Sequence, residues 1–560
     1  MRRLFLAVAL LITAVEFTPA QTLNNLQIIW RKCQPVKPVP SGETRWGDQM
    51  TSGDYNGDGY SDIVSYTDSV ISSTRGKCEI YMFLGGLSMD TIYDKKITVD
   101  SIGYHPSLTT GDFNGDGRSD LVVADSRGLD EHETGIAYIY YGTDQGLPDT
   151  FSIIHESWWH SSFGCDISAG DLNNDGYDDL MVGAYAVLSD IGRVYIYYGS
   201  SAGLQNYTST VLNGHDSPVY NEGFGIRVGS GGDFNNDGYQ DIIISGYGNS
   251  EAYNCAGRIY IYYGGNPMDT LADVWADGEG LYNTIGYKGV AIAPADSGGC
   301  YGAGCYSAPD YPDGWFGAIH DGKIYMLAGG LGIDGIPDFT VTHPGSEENL
   351  GMNLSNGGYV DNDKRADIIS GGPYWDNNKG MGYLWLARDD MRTQQDADIL
   401  GRFPANSNTG EVMGSNMTSA GDVDGDGKDE IMFSNYISDI SDTSVFIWIC
   451  KYTGPDGVAG KPADSGQRPA FRLGQNYPNP FKTKTTISYQ LQVNGSVNLS
   501  VYNITGQLVR ILDNGYRLSG VYNVKWNGVD IDGRTVSKGV YIYKLTLGNI
   551  CIAQKMILLK

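Results

Sequence analysis

The sequence predicts an all-β protein, a seven-bladed β-propeller followed by a small Ig-like β-sandwich. The first observation is an acidic loop of pattern D-x-[ND]-x-D-G-x-x-[DE], which begins at residues 54, 112, 171, 233 and 422. The second is the gap of 189 residues between the last two copies, which equals three periods of 63 and leaves room for two decayed units. Seven such units built from short strands indicate blades packed around one axis.

Each unit repeats one order of elements. An apolar residue and a glycine precede the acidic loop, and an apolar run and a strand rich in Tyr and Ile follow it. In the third unit these pieces are Phe163-Gly164, Asp171–Asp179, Leu180–Ala184 and Val194–Gly199. Runs of β-branched and aromatic residues bounded by Gly and Asp are strand signals. The predicted propeller covers residues 44–453, and residues 21–43 are expected to supply a strand that closes the ring.

These markers resemble the FG-GAP repeats of integrin α-subunit propellers. The F-G marker is present as Phe163-Gly164 and Phe224-Gly225, and the G-A-P marker survives as Gly183-Ala184 and as Ser307-Ala308-Pro309. The resemblance covers roughly residues 44–453. It implies a structural role for calcium, metal loops that face away from the partner-binding side, and a function in recognition or adhesion.

The five complete loops are candidate calcium sites. Oxygens at positions 1, 3 and 5 of a tight turn converge, Gly at position 6 permits the bend, position 7 offers its carbonyl, and position 9 closes the shell. Such all-oxygen sites suit a hard cation, calcium before magnesium. The predicted ligands are Asp54, Asn56, Asp58, Tyr60 and Asp62; Asp112, Asn114, Asp116, Arg118 and Asp120; Asp171, Asn173, Asp175, Tyr177 and Asp179; Asp233, Asn235, Asp237, Tyr239 and Asp241; and Asp422, Asp424, Asp426, Lys428 and Glu430.

Three alternatives bear on these loops. An EF-hand needs a Glu at position 12 and flanking helices, whereas position 12 here lies inside predicted strands. A dockerin needs paired loops that lie much closer together. The third alternative is a solvated Asp/Asn/Gly turn without metal. The sixth loop has Tyr359 and Lys364 in place of the first Asp and the Gly, and the fifth keeps only Asp296. We expect weak binding or none at the sixth and no metal at the fifth.

The two ends of the chain predict export. Residues 1–20 have the three regions of a secretory signal peptide, and no later segment reaches the ~18 apolar residues that a transmembrane span needs. Residues 454–470 indicate a linker. Residues 471–560 resemble the type A C-terminal sorting domain of the type IX secretion system, through Asn476–Phe481, Val501–Val509, Gly539–Leu545 and Lys555–Lys560. This resemblance implies contact with the outer-membrane secretion machinery of a Gram-negative cell, and a mature protein that is secreted or attached to the cell surface.

The charge and the cysteine content bear on the ligands and the disulfide bonds that the protein can have. The net charge of −28, from 38 basic and 66 acidic residues, opposes binding to nucleic acid or anionic lipid. The chain has eight cysteines, and disulfides persist in exported proteins. Two pairings have a structural reason: Cys33 with Cys450 where the ring closes, and Cys300 with Cys305 as a clip in the fifth loop. Buried free thiols are the alternative for the first pair.

The residue count leaves no room for a separate catalytic domain. Gly199–Gly203 matches the G-x-S-x-G nucleophile pattern, but it lies where the second unit has a turn, so we predict a turn. The cluster Trp158-Trp159-His160 suggests either a loop that stacks on sugars or anchors a partner, or core packing between blades, which we favour. The predicted function is a non-enzymatic recognition or adhesion module with an extracellular protein or glycan ligand. The alternatives are a lectin, or an enzyme that acts on polysaccharide or phospholipid at one propeller face.

Overall fold

Short β-strands form nearly all of the regular structure in the described part of the chain. The chain divides into two compact units, Met1–Val458 and Ala459–Lys560. The computed structural model describes residues 26–33, 44–72, 75–87, 89–102, 106–127, 134–156, 158–208, 210–214, 222–235, 237–249, 256–278, 290–295, 299–304, 323–328, 339–342, 353–361, 366–372, 381–386, 397–400, 411–437, 446–453, 471–473, 476, 481–491, 494–503, 507–518, 520–531, 533–547 and 550–559. The predicted signal peptide and linker lie outside these residues.

Seven antiparallel four-stranded sheets make up the described part of the first unit. Between the second and third strands of blade 3 lies one short helical turn, Val187–Asp190. The strands of the seven blades are β2–β5 (Thr44–Gly53, Asp62–Ser72, Arg75–Phe83, Lys95–Ile102), β6–β9 (Ser107–Gly111, Asp120–Asp125, Ile136–Tyr140, Ser152–His155), β10–β13 (Ile167–Gly170, Asp179–Ala184, Arg193–Tyr197, Thr210–Asn213), β14–β17 (Phe224–Gly232, Asp241–Gly246, Arg258–Tyr262, Val274–Asp277), β18–β21 (Val290–Ala295, Gly299–Gly304, Lys323–Ala328, Phe339–Thr342), β22–β25 (Asn353–Gly358, Asp367–Gly372, Met381–Trp385, Ala397–Leu400), and β26–β28 (Glu411–Gly421, Glu430–Ile437, Phe446–Tyr452) with β1 (Leu26–Cys33).

The first strands of the blades form a closed ring. Strand β2 contacts β6, and the contacts continue through β10, β14, β18, β22 and β26 back to β2. Neighbouring blades bury their faces on each other, as where Val64 and Ile80 of blade 1 pack with Leu121 and Tyr138 of blade 2. This burial explains why a run of β-branched and aromatic residues recurs in every unit. The predicted seven-bladed propeller is confirmed.

Strand β1 closes the ring, because it pairs with β28 and so becomes the fourth strand of blade 7. Trp30 of β1 is 5% exposed and lies edge-on to Phe83 of blade 1, with 5.2 Å between the ring centroids. Its indole N–H donates a hydrogen bond to the Asp90 carbonyl at 2.7 Å. One side chain therefore joins the last blade to the first.

Strand register excludes the predicted disulfide between Cys33 and Cys450. Cys33 pairs with Phe446 whereas Cys450 pairs with Ile28, near the other end of β1, and Cys450 is a buried free thiol. The predicted pairing of Cys33 with Cys450 is wrong. Cys300 lies in β19, but Cys305 lies outside the described residues, so the clip between these two cysteines stays a prediction.

The second unit consists of two sheets over one core. Ile487 and Trp526 of the first sheet and Leu499 and Tyr543 of the second share an apolar cluster, which is the arrangement of a β-sandwich. The Ig-like topology stays a prediction. Within the described residues, no helix is long and apolar enough to cross a membrane. The sheets are β29-β30-β33 (Phe471–Leu473, Thr485–Leu491, Gly520–Trp526) and β32-β31-β34-β35 (Leu508–Arg517, Gly495–Asn503, Gly539–Leu547, Ile550–Leu558).

Ring closure is testable at Trp30. Trp30→Ala is expected to destabilise the propeller by about 3–5 kcal/mol, because it leaves a cavity between blades 7 and 1. Denaturant unfolding of the purified protein measures the change. Trp275→Ala is the control, since Trp275 is 51% exposed and should change stability little. Equal unfolding midpoints for the two variants would contradict the closing role of β1.

Candidate metal centres

Each complete acidic loop joins the first two strands of its blade. The strand pairs Gly53–Asp62, Gly111–Asp120 and Gly170–Asp179 flank three of these loops. In blade 5 the corresponding pair is Ala295–Gly299, so the two strands are only three residues apart in sequence. Those three residues, Asp296 among them, lie outside the described part of the chain, and the expected lack of metal at the fifth loop stays a prediction.

The carboxylate at position 1 holds the loop closed. Asp54 Oδ1 accepts hydrogen bonds from the N–H groups of Gly57 at 2.7 Å and Asp58 at 3.0 Å. Asp54 Oδ2 accepts one from Gly59 at 2.8 Å. Asp112 and Asp422 accept the corresponding three bonds. Gly59 has a φ of 91°, a left-handed conformation that favours glycine and explains position 6.

The carboxylate at position 9 ties the loop to the third strand. Asp62 is fully buried; its Oδ2 accepts the Tyr55 N–H at 3.1 Å and its Oδ1 accepts the Gly85 N–H at 2.9 Å. Asp120, Asp179 and Asp241 make the same two bonds in blades 2, 3 and 4. The sequence interpretation missed this role, although the glycine after each third strand was a visible signal. Each carboxylate oxygen keeps a second lone pair, so its role as a ligand stays a prediction.

Burial also changes the acidity of position 9. Desolvation raises the pKa of Asp62, Asp120, Asp179 and Asp241 to about 7, and neighbouring loop carboxylates add to the increase. Desolvation likewise raises the pKa of Glu430 to about 8. The backbone N–H donors oppose these shifts without cancelling them. A cation bound beside these groups would favour their ionised form.

Several oxygens in the loops fit a bound cation. The carboxylates of Asp422, Asp424 and Asp426 have ligand atoms within 4.8 Å of one another. Two buried oxygens at predicted ligand positions, Asn173 Oδ1 and Glu430 Oε1, have no hydrogen-bond partner. Leaving such an atom unsatisfied costs about 1–3 kcal/mol. The donor set is oxygen throughout, which is the chemistry that calcium prefers.

In most of the complete loops, a nearby side chain donates a hydrogen bond to the carboxylate at position 5. In the first loop, Asn56 Nδ2 donates to Asp58 Oδ2 at 2.9 Å, and the fourth loop repeats this bond between Asn235 and Asp237. In the seventh loop the donor is Lys451, whose ammonium contacts Asp424 and Asp426. Burial disfavours the charge of Lys451, but its hydrogen bonds to these carboxylates prevail and raise its pKa.

Neighbouring loops are bonded to each other. The Ser119 N–H donates to the Asp54 carbonyl at 2.9 Å, and the Ser61 N–H donates to the Asp422 carbonyl at 3.0 Å. Side chains at position 7 cover the preceding loop: a Cβ on Gly115 would lie 2.6 Å from the Tyr177 ring. The loops of blades 7, 1, 2 and 3 therefore form one connected surface.

The sixth loop is described only in part. Its Asp361 is buried, while Asp363 and Lys364 lie outside the described residues.

The aromatic cluster lies at the opposite end of the blades. Trp158 and Trp159 follow β9 and are 50% and 67% exposed, so the favoured packing of these two side chains between blades is wrong. The Arg193 guanidinium lies 5.7 Å from the Trp158 ring centroid.

The Gly199–Gly203 segment is the predicted turn, since the Gly203 N–H donates to the Ser200 carbonyl at 2.7 Å.

Comparison with known proteins agrees with this geometry. A model of the FG-GAP-like repeat matches residues 112–182 and 171–244, and a model of the secretion system C-terminal sorting domain matches residues 475–559. The chain combines an FG-GAP propeller with a type IX C-terminal sorting domain. The resemblance predicted from the sequence is confirmed.

Individual relatives of this FG-GAP protein match only part of it. Mouse (Mus musculus) integrin alpha-IIb is 35% identical over 156 residues, which is 26% of this chain and 15% of the relative. Mouse integrin alpha-8 is 29% identical over 238 residues, 40% of this chain and 20% of the relative. The chain thus spans a fifth or less of the length of these relatives. The solved Dos1 propeller aligns with 70% of this chain and 75% of its own, at 10% identity and a TM-score of 0.37.

Proposed function

We propose that this protein is an exported, calcium-stabilised propeller that acts as a recognition or adhesion module, without enzymatic activity. The observation that carries the proposal is the combination of a closed FG-GAP propeller with a C-terminal sorting domain in one chain. The sorting domain directs the chain to the secretion machinery, and the propeller is then secreted or held outside the outer membrane. There it presents a rigid surface to an extracellular protein or glycan.

Calcium in the proposal is structural. Each complete loop brings three or four acidic side chains together, and these repel one another unless a cation neutralises them. The ions are assigned to positions 1, 3, 5, 7 and 9 of the loops in blades 1, 2, 3, 4 and 7. Loops on one end of the ring leave the other end free for a partner.

Asp171 tests the calcium role. Removing calcium with a chelator is expected to lower the melting temperature sharply, because each site contributes roughly 2.7 kcal/mol at a hundredfold excess of free ion over its Kd. Asp171→Ala should bind one ion fewer than the natural chain, by equilibrium titration. Asp144→Ala, an exposed aspartate in a turn of blade 2, should bind the natural number. A melting temperature that ignores chelator, or fewer than three ions in the natural chain, would contradict the calcium assignment.

The exposed tryptophans favour a glycan ligand as the second candidate function. Aromatic faces stack on apolar faces of sugars, and tryptophan and arginine are the residues that most often dominate binding energy at interfaces. Trp158 and Arg193 supply both within one small surface.

The binding surface is testable on arrays of glycans and extracellular-matrix proteins. The propeller without its tail, residues 21–458, is expected to bind a defined set of ligands in calcium. Trp158→Ala combined with Trp159→Ala should weaken that binding at least tenfold, which is about 1.4 kcal/mol. Trp275→Ala is the matched control, since it also removes an exposed tryptophan. An equal loss of affinity in the double variant and in Trp275→Ala, or no loss in either, would place the ligand elsewhere on the propeller.

Export is testable by deletion. A chain that lacks residues 471–560 is expected to accumulate in the periplasm of a host with the type IX system, because the sorting domain is a separate folding unit. Fractionation and surface labelling measure the location. The melting temperature of the truncated propeller should match that of the full chain, which separates a sorting defect from a folding defect. Normal surface display of the truncated chain would contradict the role of the tail.

A further inference from the structure

Blade 7 differs from blades 1 to 4 at two neighbouring positions beside its acidic loop. In blades 1 to 4, the residue across from position 9 is Leu84, Tyr141, Tyr198 or Tyr263, and a glycine follows it. In blade 7 the strand pairing of Ile431 with Cys450 places Lys451 there, and Tyr452 replaces the glycine. A cationic side chain therefore stands where the other blades have an apolar or aromatic one.

The missing glycine leaves a gap in the hydrogen bonding. Gly85, Gly142, Gly199 and Gly264 each donate an N–H to the buried carboxylate at position 9. Glu430 keeps its other backbone bond, from the Val423 N–H at 3.0 Å. Its second oxygen, Oε1, is buried and has no hydrogen-bond partner. A cation would complete this site.

The Lys451 ammonium lies inside the predicted ligand set. Its Nζ is 2.6 Å from Asp424 Oδ2, 2.5 Å from Asp426 Oδ2 and 4.0 Å from Glu430 Oε1. These are positions 3, 5 and 9 of the loop. A partial parallel is Arg118 in the second loop, whose Nη1 lies 3.2 Å from Asp116 Oδ2. Arg118 thus contacts one loop carboxylate, whereas Lys451 contacts two and lies 4.0 Å from a third.

We propose that Lys451 is a built-in cation that takes the place of the metal ion in the seventh loop. A divalent ion at the same oxygens would lie within a few ångströms of the ammonium, and like charges at that distance repel strongly. The ion must therefore displace Lys451 before it binds. Among the described residues of blades 1 to 4, no cationic side chain contacts positions 3 and 5 of a loop together, so these loops bind calcium while the seventh holds its shape without it.

This arrangement would make the closing blade independent of calcium. Blade 7 contains β1 as well as β26–β28, so the two ends of the propeller meet in this sheet. With Lys451 in the loop, the pairing of β1 with β28 does not require a bound ion. The inference rests on the proposed calcium role of the other loops, and it changes the expected number of ions from five to four.

Calcium titration of the full chain tests the proposal, with calcium alone as the probe. The natural chain is expected to bind four ions. Lys451→Met removes the charge, keeps the length of the side chain and should bind five. Lys451→Arg keeps the charge and should bind four, and Lys77→Met, a lysine paired with Glu79 at the other end of blade 1, should also bind four.

Melting temperatures give an independent measure. In chelator, Lys451→Met is expected to melt below the natural chain, because three loop carboxylates lose their cation. Saturating calcium should bring the melting temperature of Lys451→Met up to that of the natural chain. The melting temperature of Lys77→Met should rise with calcium only as much as that of the natural chain. The same ion number in the natural chain and Lys451→Met, with equal melting in chelator, overturns the built-in cation and leaves the calcium role of the other loops intact. No calcium bound by either protein overturns both.

Discussion

In blades 1 to 4, the arrangement of the acidic loop depends on the buried carboxylate at position 9. Asp62 accepts one backbone N–H from the start of its own loop and one from the end of the third strand. Because the side chain is fully buried, water does not compete for these bonds, and each is correspondingly costly to lose. The carboxylate thus fixes where positions 1, 3 and 5 lie relative to the sheet. Blades 1 to 4 repeat this contact with the same atoms.

Local features of the blades could be predicted from the sequence, whereas long-range strand pairings could be seen only in the structure. The blade count and the loop positions follow from local repeats, since the sequence of each unit specifies its own strands and turn. The predicted pairing of Cys33 with Cys450 failed because the register of β1 against β28 joins residues more than 400 positions apart, such as Cys33 and Phe446. No local pattern specifies that register. Lys451 was missed for the same reason, because only the pairing of β27 with β28 brings it to the loop.

Exposure was the other property that the sequence did not reveal. Trp158 and Trp159 look like core residues by type, and most tryptophans are largely buried. They are exposed here because they follow β9 in the connection to the next blade, outside the sheet faces that pack together. The loops and these tryptophans stand at opposite ends of the blades. In the proposed function, the ions therefore stabilise the scaffold without touching the partner.

Ring closure by β1 has a consequence for how the chain folds during synthesis. Leu26 is made early, but its partner Tyr452 is made only after the other six blades are complete. A pairing over so long a separation in sequence forms late and slowly. A chain that is cut short before Phe446 leaves Trp30 without its sheet and the inner strands without a closed ring. The architecture therefore delays the final closed state until the whole propeller has been translated, so that a truncated product is left open to proteolysis.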